Sequence, residues 1–153
     1  MMAANQAPKS QARSASRLAA VQALYQQQME KTALTRLLNE FHQHRLGQEI
    51  EDDQYAEAEV DFFDDIVSGV DARRKEIDEL LQSRLAAGWK IDRLDKTMVQ
   101  ILRCGTYELL ARADISKKIV ISEYIDVAHA FFDEKEAKFV NGVLDSVGKA
   151  VRP

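Results

Sequence analysis

The sequence predicts an all-α protein, and three observations carry that prediction. Apolar residues recur at three- and four-residue spacing in nearly every segment that could be ordered. Ala, Leu, Glu, Gln, Lys and Arg, which lose least on entering a helix, dominate those segments, whereas Gly and Pro number only 6 and 2. No alternating pattern persists, although "KKIVIS" at 117–122 would by itself pass for a short strand. With 46% apolar and 30% charged residues over 153 positions, the chain has the composition and length of one globular domain with a sizeable core.

Residues 1–12 are small, polar and proline-containing, so they read as a disordered tail, with order starting near Arg13. "ARSASRLAAVQALYQQQMEK" then brings Leu18, Val21 and Tyr25 to one side of a helix, with Leu24 adjacent. "ALTRLLNEFHQHRL" repeats the pattern through Leu34, Leu37, Leu38 and Phe41, and the acidic "GQEIEDDQ" reads as a connecting loop. In "AEAEVDFFDDIVSGVDARRKEIDELLQSRL" one stripe runs through Phe63, Ile66, Val67, Val70, Ile77, Leu80, Leu81 and Leu85 without losing register at Gly69. One continuous helix is expected there. At ~1.5 Å per residue it spans roughly 40 Å, more than a small bundle needs, so two small bundles are expected to share it.

Gly88 in "AAGWKIDR" is a natural stop. "LDKTMVQILRCGTYELLAR" then sets Leu94, Met98, Ile101, Leu102, Gly105 and Leu109 on one face, and "SKKIVISEYIDVAHAFF" is expected to face Ile121, Ile125 and Ala128 inward. In the last helix Asp133 and Glu136 have the spacing of a capping box, and Val140, Val143, Leu144, Val147 and Val151 form the core face. Gly142 points almost the opposite way, with Lys135, Lys138 and Lys149, and with Phe139 and Ser146 on the flank. A mid-helix glycine costs ~1 kcal/mol against alanine, so a close approach is expected at Gly142. Either another helix covers the bare backbone, or the face docks a ligand through a ring for stacking and ammonium groups for phosphates.

The net charge of −4 hides an uneven distribution. Residues 1–29 carry Lys9, Arg13 and Arg17 and no acid, while residues 49–65 carry nine acids and no Lys or Arg. Such a chain can offer a basic end to a polyanion while the remainder repels it. No apolar run approaches the roughly 18 residues of a membrane span and the N-terminus has no apolar signal core, so a cytoplasmic protein is expected. One cysteine, Cys104, cannot form an internal disulfide and reads as a small core residue. His42 and His44 lie on different helix faces and His129 stands apart, the run "EIEDDQ" lacks the spacing of a calcium loop, and no phosphate-binding loop is present. No catalytic residue, metal or cofactor is expected. Arg103 and Glu108 are expected to form an intramolecular ion pair, with a partner contact as the alternative.

Four stretches, "AAVQALYQQ" at 19–27, "FFDDIVSGV" at 62–70, "ILRCGTYELL" at 101–110 and "KFVNGVLDSV" at 138–147, together resemble the NusB family of bacterial transcription antitermination factors. The similarity covers most of the chain in the family's order, and the C-terminal Asn-Gly signature is its most specific part. The resemblance implies a NusB-like fold of about seven helices within one domain at 13–153, in two small bundles at about 13–75 and 76–153. It also implies a role without catalysis: pairing with NusE, the small-subunit ribosomal protein, and binding of the single-stranded boxA RNA of ribosomal operons. With the other Nus factors such a pair keeps RNA polymerase elongating through terminators. By position, the Arg-rich start of the family's first helix falls on Arg13 and Arg17, the Tyr of "ALY" on Tyr25, and the Lys-Phe of the last motif on Lys138 and Phe139. Two departures stand out. The family's N-terminal basic cluster is often denser than "KSQARSASR", and Ser122 replaces a common Asn.

Lys9, Arg13 and Arg17 recur every fourth residue, so a helix reaching that far would line them up as phosphate contacts. Three such contacts give only a modest salt slope, about −0.7 per phosphate on a single strand, so a protein partner would help. The helices at about 94–131 are the expected contact for that partner. Tyr25 and Phe139 suit stacking of unpaired bases if the first and last helices lie side by side, although Tyr25 could equally be a core ring with a wet hydroxyl. A helical adaptor or homodimer without an RNA role is the alternative reading. An RNA-modifying enzyme is a third, since NusB-like domains precede ribosomal-RNA cytosine methyltransferases, but it expects a longer gene product.

Overall fold

A computed structural model of the chain describes the backbone of residues 6–43 and 56–153 and the side chains of residues 11–43 and 60–153. The described residues form seven α-helices and one 3-10 turn, with no strand. The chain divides into two compact units, Met1–Asp71 and Ala72–Pro153.

The first unit holds α1 (Gln6–Glu30), α2 (Leu34–Phe41) and α3 (Ala56–Ala72). Helix α1 starts well before Arg13, so the disordered reading does not hold for residues 6–12; residues 1–5 lie outside the described residues. Pro8 sits in the first turn, where its missing N–H is not needed. Ala12 is already buried, so this polar segment does have something to bury. The helix stops at Lys31, whose φ of 56° is left-handed and whose N–H returns to Gln27 O at 2.7 Å. Ala20, Val21, Ala23 and Leu24 of α1 meet Leu37 and Phe41 of α2 and Phe63, Ile66, Val67 and Val70 of α3 in the core. Phe41 stacks on Phe63 with centroids 5.6 Å apart, and His42 Nε2 lies 2.6 Å from Asp64 Oδ1. The "GQEIEDDQ" loop falls outside the described residues.

The single long helix expected over 56–85 is instead two. Arg73, at φ −111° and ψ 23°, leaves the helical conformation and becomes the N-cap residue of α4 (Arg74–Arg84). Its guanidinium folds onto Glu76, with Nε donating to Oε1 at 2.8 Å and Nη2 to Oε2 at 3.0 Å. That hydrogen bond holds the Glu76 carboxyl below the usual carboxylate range. The apolar stripe hid the break because a single non-helical residue barely shifts its phase.

The second unit comprises α4, a 3-10 turn at Ile91–Arg93, α5 (Lys96–Ala111), α6 (Lys117–Phe131) and α7 (Glu134–Val151). Helix α5 is buried along most of its length. Its start is fixed by Asp95, whose carboxylate accepts from the N–H of Thr97 at 2.8 Å and of Met98 at 3.1 Å. Ser116 caps α6 by accepting from Ile119 N–H at 3.2 Å, so "KKIVIS" is the opening of a helix. Asp133 occupies the N-cap position of α7 but makes no side-chain cap bond, so the expected capping box does not form. Glu134 and Glu136 still favour that end through the helix dipole.

Helix α6 buries Val120, Tyr124, Val127 and Ala128; Ile121 and Ile125, expected inside, are half-exposed. Tyr124 decides this register, because its hydroxyl donates to the fully buried Glu108 of α5 at 2.5 Å. Arg103 pairs with Asp78 of α4, through Nε–Oδ1 and Nη2–Oδ2 contacts of 2.8 Å each, rather than with Glu108. At Gly105 an added Cβ would lie 2.7 Å from Leu144 Cδ1, so α5 and α7 approach closely there. At Gly142 it would meet nothing within 4 Å, so among the described residues no helix covers that backbone, contrary to one of the two readings of this glycine. Arg152 closes the unit. Its guanidinium donates to the carbonyls of Leu109 (2.9 Å), Ile115 (2.7 Å), Arg112 (2.7 Å) and Glu108 (3.1 Å), satisfying the open C-terminus of α5.

Two consequences are testable by urea denaturation. Gly105→Ala should destabilise by about 1–3 kcal/mol through overpacking, whereas Gly142→Ala should stabilise by up to ~1 kcal/mol; equal effects would contradict the difference in space. Arg152→Ala should lose about 2–3 kcal/mol, the worth of a charge-assisted hydrogen bond and the carbonyls it leaves bare. Arg152→Lys should recover only part, because an ammonium cannot span four carbonyls.

Candidate nucleic-acid interface

In the first unit α1 carries the basic residues at fourfold spacing. Lys9 lies within α1, but its side chain is outside the described residues. Arg13 and Arg17 both place their guanidinium carbons over the ring of Phe62, at 4.6 and 4.8 Å from its centroid. These are cation–π distances. Arg17 is buried at 3% exposure and Arg13 is half-buried, its Nε without a hydrogen-bond partner among the described residues. The two arginines therefore converge on one ring rather than extending as a row of side chains. Phe62 is a member that the sequence did not reveal, because "FFDDIVSGV" reads as core. Tyr25 is 39% exposed, so it is a surface ring and not the core ring that its apolar stripe allowed.

In the second unit α7 exposes Lys135, Lys138, Asn141 and Gly142. Phe139 is half-buried, and its ring packs against Trp89, with centroids 5.7 Å apart and planes tilted by 30°. Trp89 is 52% exposed and is the chain's single tryptophan. Its backbone is firmly held: Gly88 at φ +90° makes the turn, Trp89 N–H donates to Ala86 O at 3.0 Å, and Gln82 Nε2 donates to Trp89 O at 2.7 Å. Gln82 Oε1 also accepts from Ile91 N–H at 3.0 Å. By sequence, "AAGWKIDR" reads only as a helix stop. The available signal was a tryptophan in a polar loop with no apolar periodicity to bury it.

A groove of about 380 Å³ runs between α6 and α7, lined by Lys117, Lys118, Ile121, Ser122, Ile125 and Asn141, with Asp145 at its edge. Ser122 is exposed there, so the departure from the family's common Asn falls on the surface. Cys104 is fully buried, and burial pushes its thiol far up from the ordinary range, out of reach of nucleophilic chemistry. Among the described residues no group of three His, Cys, Asp or Glu is placed to hold a metal ion, and no helix is long and apolar enough to cross a membrane.

The fold and these surfaces define a class: an all-α protein of two helical units that displays cations and rings on its helices. The sequence model of the NusB family matches residues 14–149. The chain is 69% identical over 141 residues to transcription antitermination protein NusB of Novosphingobium aromaticivorans, covering 92% of this chain and 95% of that protein. Among solved structures it matches T. maritima NusB with a TM-score of 0.76 at 31% identity, covering 92% and 93% of the two chains. It also matches a chain in the crystal structure of antitermination factors NusB and NusE in complex with dsRNA, with a TM-score of 0.77 at 26% identity and coverage of 92% and 98%. The chain belongs to the NusB family.

Proposed function

We propose that this protein is an RNA-binding transcription antitermination factor that acts without catalysis, in partnership with the ribosomal protein NusE. The observation that carries the RNA role is the outer face of α7. There Lys138 stands exposed beside Phe139, next to a mid-helix glycine that nothing in the fold requires. Lysines supply phosphate contacts, the ring supplies a surface for a base, and a bare backbone lets a strand approach. The first unit contributes Lys9, Arg13, Arg17 and Tyr25. Arg13 and Arg17 bring two guanidiniums together over Phe62, and Tyr25 adds a second exposed ring. The RNA is single-stranded boxA of ribosomal operons. The complex works in the cytoplasm with RNA polymerase and the other Nus factors. A solved relative, in complex with NusE and dsRNA, supports NusE and RNA as partners.

The groove between α6 and α7 is the proposed NusE contact. Its half-exposed Ile121 and Ile125 are apolar surface that the unit's own core leaves outside.

RNA affinity measured with and without NusE over a range of salt tests the reading. Binding should tighten with NusE and weaken as salt rises, and Lys138→Ala should reduce the magnitude of the log–log salt slope by about 0.7, one phosphate contact. Absent or salt-insensitive binding would instead favour a helical adaptor. For the second surface, Ile121→Asp with Ile125→Asp should weaken NusE capture at least about tenfold, as expected for apolar contacts at the centre of an interface. Unchanged capture in a protein that keeps its helical circular dichroism would move the NusE contact elsewhere.

A further inference from the structure

We infer that the outer face of Trp89 is a stacking surface for one unpaired nucleobase, beside the contact made by Lys138. This rests on the RNA-binding reading above and adds to it a residue and a selectivity for unpaired over paired RNA.

Tryptophan is highly buried on average, and its indole brings a large apolar surface, so one left 52% exposed is unusual. It is not a loose loop residue. The Gly88 turn, the Ala86 carbonyl and both ends of the Gln82 amide fix the backbone on either side of it. Phe139 backs one side of the indole. The loop thus holds a large ring rigidly at the surface, which lowers the entropy lost when a ligand stacks on it.

Geometry selects the face. A base slotted between two rings needs them about 7 Å apart, twice the ~3.4 Å spacing of stacked bases. The Trp89 and Phe139 centroids are 5.7 Å apart with the planes tilted by 30°, so the pair is closed to insertion. A base can land only on the indole face turned away from Phe139.

Chemistry selects the ligand. The exposed residues nearest the two rings along the chain are Lys90, which follows Trp89, and Lys135, Lys138, Asn141 and Gly142, all within about one turn of Phe139 on α7. A protein hot spot sets its aromatic anchor in a desolvated, well-packed surround, whereas cations and amides around a ring suit a phosphate-linked base. Paired bases have their faces occupied by stacking neighbours, so an exposed indole selects unpaired ones.

As the single tryptophan, Trp89 reports on itself. In the full-length protein with NusE, titration with single-stranded boxA RNA should quench its fluorescence, and the same sequence as a blunt duplex should not. Trp89→Ala should weaken single-strand binding about 5- to 160-fold, the range for loss of one base–aromatic stack, and Trp89→Phe should restore most of it. The salt slope should stay unchanged in Trp89→Ala, while Lys138→Ala lowers its magnitude by about 0.7. If Trp89→Ala binds RNA like the wild type while Lys138→Ala is weakened, the inference fails and the RNA-binding reading stands. If the wild-type pair binds no RNA, both fall. Equal quenching by duplex, or a Trp89→Ala defect in NusE capture without RNA, overturns the inference by assigning the indole to another ligand. The wild-type quenching comparison needs no variant, so it decides the matter even if Trp89→Ala fails to fold.

Discussion

A carboxyl taken wholly out of water governs the second unit. Glu108 sits in the middle of α5 with no exposure, and burying such a group is costly unless it is hydrogen-bonded. Tyr124 of α6 donates its hydroxyl at 2.5 Å, which requires the Tyr124 side of α6 to face α5. Everything else about α6 follows from that rotation. Val120 and Val127 go in with Tyr124, and Ile121 and Ile125 are left lining a groove beside Lys117 and Lys118. Gly105, one turn before Glu108, completes the constraint by letting Leu144 of α7 come so close that no side chain fits between them. With the Leu144 face of α7 inward, Lys138 and Gly142 face solvent. The surfaces proposed for partners are therefore the outward complement of these packing constraints.

The first unit solves a different problem: how to concentrate positive charge on a helix that must also supply core. Arg13 and Arg17 are one turn apart, so their like charges would repel if both extended into solvent. The ring of Phe62 gathers both guanidiniums on its electron-rich surface, and Arg17 goes almost fully under cover. Ala12, Ala19, Ala20 and Ala23 of the same helix are buried with it. The result is charge held in a defined place at the expense of reach.

Helix content was legible in the sequence because period, propensity and the scarcity of Gly and Pro agree in every segment. Three features were not, each for a physical reason. The break at Arg73 has no Pro or Gly to mark it and hardly disturbs the stripe on either side. The α6 register was ambiguous because that helix carries two apolar stripes, and a tertiary hydrogen bond to Glu108 chooses between them. Helix α1 reaches back to Gln6 because Ala12 finds a neighbour to pack against, which composition cannot show. In the candidate site, Lys138, Phe139 and the oddity of Gly142 could be read from one dimension, since all three lie on a single helix. Trp89 and Phe62 could not, because each acquires its role from a residue distant in sequence.

The two kinds of feature on these surfaces divide the work of recognition in a way that suits an acidic chain. Electrostatic attraction from a few cations is weak, long-ranged and screened by salt, and it does not distinguish one sequence from another. Stacking on a ring is short-ranged, largely insensitive to salt, and available only to a base that is free to leave its neighbours. A protein with net charge −4 gains little from general attraction to nucleic acid. On the proposed reading, its selectivity then comes from contacts that form only when a strand is already in place. That makes the rigidity of the Gly88–Trp89 turn more consequential than another lysine. On the proposed reading, a ring held by Gln82 and Phe139 yields its binding energy without first having to be ordered.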